Sequence, residues 1–207
     1  MIHPEIIQHL KKDSVLKNII SSVQLQINKP DITLFEQLMR SIISQQLSTK
    51  AASTIYGRFR SGFDRFPIHP DDVLQKEIET LRGYGLSYQK ASYLHHIAEH
   101  FKTNQLLEHP WDQHDDASVI KTLLPIKGVG LWTVQMVLIF HLLREDVFPV
   151  DDLAIRQRMI SWYQPEGEGK TLINNLHKIA ENWKPYRSIA CRYIWAAGDL
   201  EKQGLKL

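Results

Sequence analysis

Residues Leu123 to Arg158 read LLPIKGVGLWTVQMVLIFHLLREDVFPVDDLAIRQR, the most informative stretch of the chain. Asp115 or Asp116 opens an apolar helix that runs to Leu124. Pro125-Ile126-Lys127-Gly128-Val129-Gly130 then turns, and a second apolar helix extends from Leu131 to Leu143. Glycines on either side of one apolar residue let the backbone take positive φ and let another chain approach closely. The second helix starts with amides that have no intrahelical acceptor and with a positive dipole end, which together make an anion site without side-chain charge. Val147-Phe148-Pro149-Val150-Asp151-Asp152 comes next and opens a third helix with a pair of acids. A turn able to hold a phosphate, succeeded by a positioned carboxylate, points to chemistry on a nucleotide.

Outward from this stretch the pattern is helical throughout. Leu34, Phe35, Leu38, Met39, Ile42 and Ile43 fall on one helical face, as do Ala91, Leu94, Ile97, Ala98 and Phe101. Leu172, Leu176, Ile179 and Ala180 make another such stripe. Thr33 or Asp31 is the expected cap of the first of these, with Glu36 three residues after Thr33. No alternating run bounded by turns calls for a strand. The expectation is an all-α chain of roughly ten helices with short connections. Gln164 to Gly169 reads as the loosest loop, and Trp111, Trp162 and Trp183 read as core.

Composition limits the alternatives. A chain of 207 residues can bury a substantial core in one domain or two small lobes. A net charge of +2 by itself decides little about nucleic-acid binding, and any such affinity would depend on local placement of donors. One cysteine, Cys191, rules out an internal disulfide and any cysteine-rich metal site. No apolar run reaches a membrane span, and MIHPEIIQHLKKD lacks the basic and apolar regions of an export signal. An intracellular protein, cytoplasmic or nuclear and not secreted, is expected.

Lys127-Gly128-Val129-Gly130-x-Trp132-Thr133 together with Pro149-Val150-Asp151-Asp152 resembles the helix-hairpin-helix (HhH-GPD) DNA glycosylases, and within them the DNA-3-methyladenine type of the shorter, fungal-like branch. Three further segments match the same family in the same order. They are Ile42-Ile43-Ser44-Gln45-Gln46-Leu47-Ser48-Thr49-Lys50-Ala51-Ala52, Gly85-Leu86-Ser87 with Lys90-Ala91, and Trp183-x-Pro185-Tyr186-Arg187-Ser188 with Trp195. The resemblance implies one domain of two helical lobes with the active-site cleft between them. One lobe would span about 31–145 and the other 1–30 plus 146–207. It further implies monofunctional excision of alkylated purines such as 3-methyladenine and 7-methylguanine, by flipping the nucleotide out of double-stranded DNA.

Site residues carried over from the resemblance keep its register. The family's catalytic aspartate stands three residues before an apolar position on the helix it starts. Asp152 fits this, with Ile155 three residues on, whereas Asp151 has Ala154 there and is expected to serve the helix as its cap. Trp132 and Trp195 would line the base pocket, with Met136 and Leu153 standing where some relatives carry aromatics. Gln45, Gln46, Ser48, Lys127, Gly128, Val129, Gly130 and Thr133 would contact DNA, with Gln46 filling the gap left by the flipped nucleotide. Lyase relatives carry a lysine where this chain has Trp132, so the strand is expected to stay uncut. No cofactor is implied beyond a structural Na⁺ or K⁺ on the backbone carbonyls of Leu124, Ile126 and Val129. A monomer acting on damaged DNA, with no membrane partner, is expected.

Two other readings compete. The hairpin also serves DNA-binding modules without catalysis. His96-Ile97-Ala98-Glu99-His100 is an H-x-x-E-H string, in which two histidines one turn apart could ligate zinc with Glu99 as base. Chance explains so short a match in a chain with 10 histidines, and an exposed polar helix face is the plainer expectation.

Overall fold

The structure is a computed structural model and describes residues 2–202, apart from the side chains of 49, 199, 201 and 202. Its helices, in chain order, are α1 (Pro4–Leu10), α2 (Ser14–Ser22), α3 (Leu34–Ser44), α4 (Thr49–Ser61), α5 (Pro70–Leu74) and α6 (Ile78–Gly83). They continue with α7 (Tyr88–Thr103), α8 (Asp116–Leu123), α9 (Leu131–Phe140), α10 (Leu153–Tyr163), α11 (Gly169–Glu181) and α12 (Arg187–Lys202). A short 3-10 turn spans Trp111–Gln113, and no strand occurs among the described residues. The all-α expectation therefore holds, with two helices more than the roughly ten that periodicity suggests. The difference comes from α5 and α6, five and six residues long, which are too short to show a repeating stripe.

The chain divides into two compact units, Pro30–Leu142 and the residues up to Lys29 together with those from Leu143 onward. In the first, Thr33 is the cap of α3: its hydroxyl accepts the Glu36 amide at 3.2 Å while the Glu36 carboxylate accepts the Thr33 amide at 3.0 Å. Asp31 is not the cap. The apolar face of α3 is buried from Leu34 to Ile43, as is the stripe of α7 from Ala91 to Phe101. α9 is buried on nearly all sides, through Thr133, Val134, Met136, Val137, Leu138 and Ile139. It ends at Phe140, three residues before the expected Leu143, which takes φ +54.

The second unit is organised around Trp183, which is completely buried. Its indole donates to Asp13 Oδ2 at 2.9 Å, and the Tyr163 hydroxyl donates to Asp13 Oδ1 at 2.9 Å. Asp13 also caps α2 by accepting the amides of Val15 and Leu16. Burial and the Asp13 carboxylate push the Tyr163 phenol far up, so it remains a donor. A sequence-distant tryptophan and tyrosine are thereby tied to the N-terminal helices by one carboxylate.

Candidate nucleic-acid interface and active site

The hairpin joins α8 to α9. Asp115 caps α8 by accepting the Ser118 amide at 2.8 Å, and Ile126 and Val129 are buried, so the turn is anchored from both sides. Gly128 takes φ +95, and a Cβ there would lie 2.3 Å from Cγ of Tyr93. The Tyr93 ring on α7 is thus the floor on which the hairpin rests. Gly130 differs: its φ is −95, it caps α9, and a Cβ would meet nothing within 4 Å. Gly128 serves packing and conformation, whereas Gly130 leaves open space at the start of α9, where amides and the helix dipole favour an anion. Lys127 is exposed beside it.

α3 ends in the Gln45-Gln46 turn. Gln45 is the C-cap residue, and its side-chain amide donates to Thr133 Oγ at 3.3 Å. Thr133 is itself buried and Gln45 half-buried, and their bond ties the α3 turn to the first turn of α9. Val129 offers only backbone, because its side chain is buried. Gln46 is exposed at φ +59, the left-handed region that disfavours non-glycine residues. Ser48 caps α4 through the Ala51 amide and stays exposed. The side chain of Thr49, part of the same family-matching segment, lies outside the described residues.

In the other unit Asp152 stands at the head of α10. Oδ1 accepts the Ile155 amide at 2.9 Å and the Trp195 indole N–H at 3.0 Å. Asp152 is therefore itself the cap, and Asp151 is an exposed turn residue. The expected division, with Asp151 for the helix and Asp152 for chemistry, is corrected: the pairing of an N-cap with the third amide of its helix falls on Asp152. Both donors act on one oxygen, which fixes the carboxylate plane at a helix terminus that favours negative charge.

The segment leading to Asp152 is held from α12. Arg187 donates to both Asp146 carboxylate oxygens, at 2.7 and 3.0 Å, and Ser188 Oγ accepts the Val147 amide at 2.9 Å. Arg187 and Ser188 stand in a family-matching segment, but the sequence by itself gives them no role. Trp195, expected in the base pocket, is half-buried and acts here as a donor to the carboxylate.

Met136, one turn beyond Trp132 on α9, is buried; Leu153, the first residue of α10, is 59 % exposed. Trp132 is half-buried. The Ile126 carbonyl already accepts the Val129 amide at 2.9 Å, so one of the three carbonyls expected to face a cation carries a bond inside the turn. The H-x-x-E-H string does not assemble a metal site. His100 bonds the Thr122 carbonyl at 3.0 Å and His96 the Ser92 hydroxyl at 3.4 Å. These rings are half-buried and engaged, not an exposed polar face, and among the described residues no group of three His, Cys, Asp or Glu could hold a metal.

The model of the HhH-GPD superfamily of base excision DNA repair proteins matches residues 39–185. The chain belongs to that superfamily. It is similar to DNA-3-methyladenine glycosylase 1 of Schizosaccharomyces pombe, at 34 % identity across 80 % of this chain and 73 % of the relative. The solved structure of the S. pombe 3-methyladenine DNA glycosylase in complex with abasic DNA is similar with a TM-score of 0.80 and 31 % identity, covering 92 % of this chain and 95 % of that one. A Bacillus halodurans DNA-3-methyladenine glycosidase structure is similar with a TM-score of 0.78 and 32 % identity, covering 97 % and 92 %. The hairpin, the Gln45-Gln46 turn and Asp152 fall inside the superfamily match, whereas Arg187, Ser188 and Trp195 lie beyond its end. No helix among the described residues is long and apolar enough to cross a membrane.

Proposed function

We propose that this chain is a base excision repair glycosylase that hydrolyses the N-glycosidic bond of alkylated purines in double-stranded DNA and leaves the strand uncut. The observation that carries the reading is the Asp152 carboxylate, fixed through Oδ1 by Trp195 and the Ile155 amide at the head of α10. Breaking the bond builds positive charge on the sugar, and a preorganised carboxylate stabilises that charge and orients the attacking water. An alkylated purine is already cationic and needs no strong acid to leave. Trp132 supplies an aromatic face to such a base, worth about 0.5–2 kcal/mol when cation–π attraction is realised.

The hairpin grips phosphate through the amides at the start of α9, and Gln46 stands in the gap that the extruded nucleotide leaves, offsetting part of an unstacking cost of a few kcal/mol. No lysine occupies the Trp132 position, so no Schiff base is formed there and the product is an intact strand with an abasic site. A monovalent cation on the carbonyls of Leu124, Ile126 and Val129 would brace the turn, and no other cofactor is assigned. The protein works as an intracellular monomer. On a duplex with one 7-methylguanine, the wild-type protein is expected to release the base, with strand scission only after hot alkali and no borohydride-trapped adduct. An enzyme-dependent nick or a trapped adduct would overturn the monofunctional assignment. A DNA-binding module without catalysis would bind the abasic product yet release nothing.

A further inference from the structure

Lys90 has no role assigned so far, yet its ammonium is directed at the turn that carries Gln46. Ser87 caps α7 by accepting the Lys90 amide at 3.2 Å, which fixes Lys90 on the first turn of that helix. Ala91 beside it is completely buried. From this anchored position Lys90 Nζ donates to the carbonyl of Ile43 at 2.8 Å and to that of Gln45 at 2.6 Å.

Those carbonyls belong to the part of α3 where the helical ladder fails. The Gln45 amide turns back to Ile42 at 3.3 Å and the Leu47 amide to Ser44 at 3.2 Å, both over three residues, and Gln46 enters the left-handed region at φ +59. Lys90 supplies the donor that the Ile43 and Gln45 carbonyls do not receive from the helix, and it places a cation at the negative end of the α3 dipole. Gln45 closes the other side through Thr133. Gln45, the residue before the exposed, left-handed Gln46, is thus held between a lysine on α7 and a threonine on α9.

We propose that Lys90 is a positioning residue for lesion probing: it clamps the turn after α3 so that the Gln46 side chain is presented to the DNA stack in one conformation. This rests on the reading that the chain extrudes nucleotides. Two of the three ammonium protons are spent on protein carbonyls, so Lys90 is not assigned to a phosphate. Burial holds its pKa below the usual lysine range, in keeping with an ammonium turned into the protein.

The test needs no base release. A duplex with a tetrahydrofuran abasic analogue and 2-aminopurine opposite it reports unstacking by fluorescence. Lys90→Met is expected to bind undamaged duplex within about twofold of wild type and with the same salt dependence. The same variant should lose about three-quarters or more of the fluorescence amplitude, matching Gln46→Ala, and the double variant should lose no more. If Lys90→Met is too unstable to assay, Lys90→Leu, which likewise removes the donor, is read by the same criteria against Gln46→Ala. Wild-type amplitude in the lysine variant, a loss additive to that of Gln46→Ala, or no wild-type signal at all would overturn the clamp. So would a tenfold weaker, less salt-dependent affinity for undamaged DNA, which would make Lys90 a phosphate contact. A wild-type protein that unstacks 2-aminopurine but releases no base from any lesion would defeat the glycosylase reading and leave the clamp supported.

Discussion

Asp152→Asn is expected to lower single-turnover base release by about 10³-fold or more, since it removes the charge that stabilises the sugar in the transition state. The same change should spare the fold. Asparagine caps helices about as well as aspartate, so its oxygen keeps the Ile155 amide and the melting free energy moves by less than about 1 kcal/mol. Affinity for an abasic duplex should also persist, because the hairpin proposed to grip phosphate does not include this residue. Quenched-flow excision, thermal melting and fluorescence anisotropy on one preparation give all three quantities. Base release within a few-fold of wild type would remove Asp152 from the chemistry and return it to the role of a cap.

Gly128→Ala is expected to be the most damaging change in the hairpin. The new Cβ would fall 2.3 Å from the Tyr93 ring, and the residue would have to keep φ +95. Left-handed strain alone costs about 1–3 kcal/mol, and the ring or the turn must also shift. Undamaged-duplex affinity should drop about tenfold or more as the phosphate-binding amides are displaced. Gly130→Ala is the control: with open space around its Cβ and φ −95, it should lose only the cap preference of glycine over alanine, about 1 kcal/mol or less, while weakening DNA binding at the proposed phosphate site. Equal stability losses for the two variants would show that the glycines share one role.

Much of the fold is legible in the chain because its long helices carry their burial pattern in their spacing. The stripes of α3 and α7 are buried where the 3.6-residue period puts them. α5 and α6 are not legible, because one or two turns cannot show a period. α9 reads three residues too long because an almost wholly buried helix has no polar face to mark its end. At the site, the Gly128 turn and Asp152 are legible, since glycine and a capping acid announce themselves locally. Pairing across sequence is not. Nothing in the chain says that Trp195 would donate to a carboxylate 43 residues earlier, that Tyr93 would lie under Gly128, or that Gln45 and Thr133 would satisfy each other. On sequence alone the cap falls wrongly on Asp151 for the same reason. Which of two adjacent aspartates caps depends on where the helix begins, and that is set by tertiary packing of Ile155 and Met159.

Release of alkylated purines as free bases is the activity on which the roles proposed for Asp152 and Trp132 depend. Single-turnover incubation with duplexes each bearing one lesion, and mass detection of the released base, measures it without intermediary. Free 3-methyladenine or 7-methylguanine is expected from the wild-type protein, with an unbroken strand and no release by Asp152→Asn. Tight binding to abasic DNA with no free base from any lesion would refute the assignment.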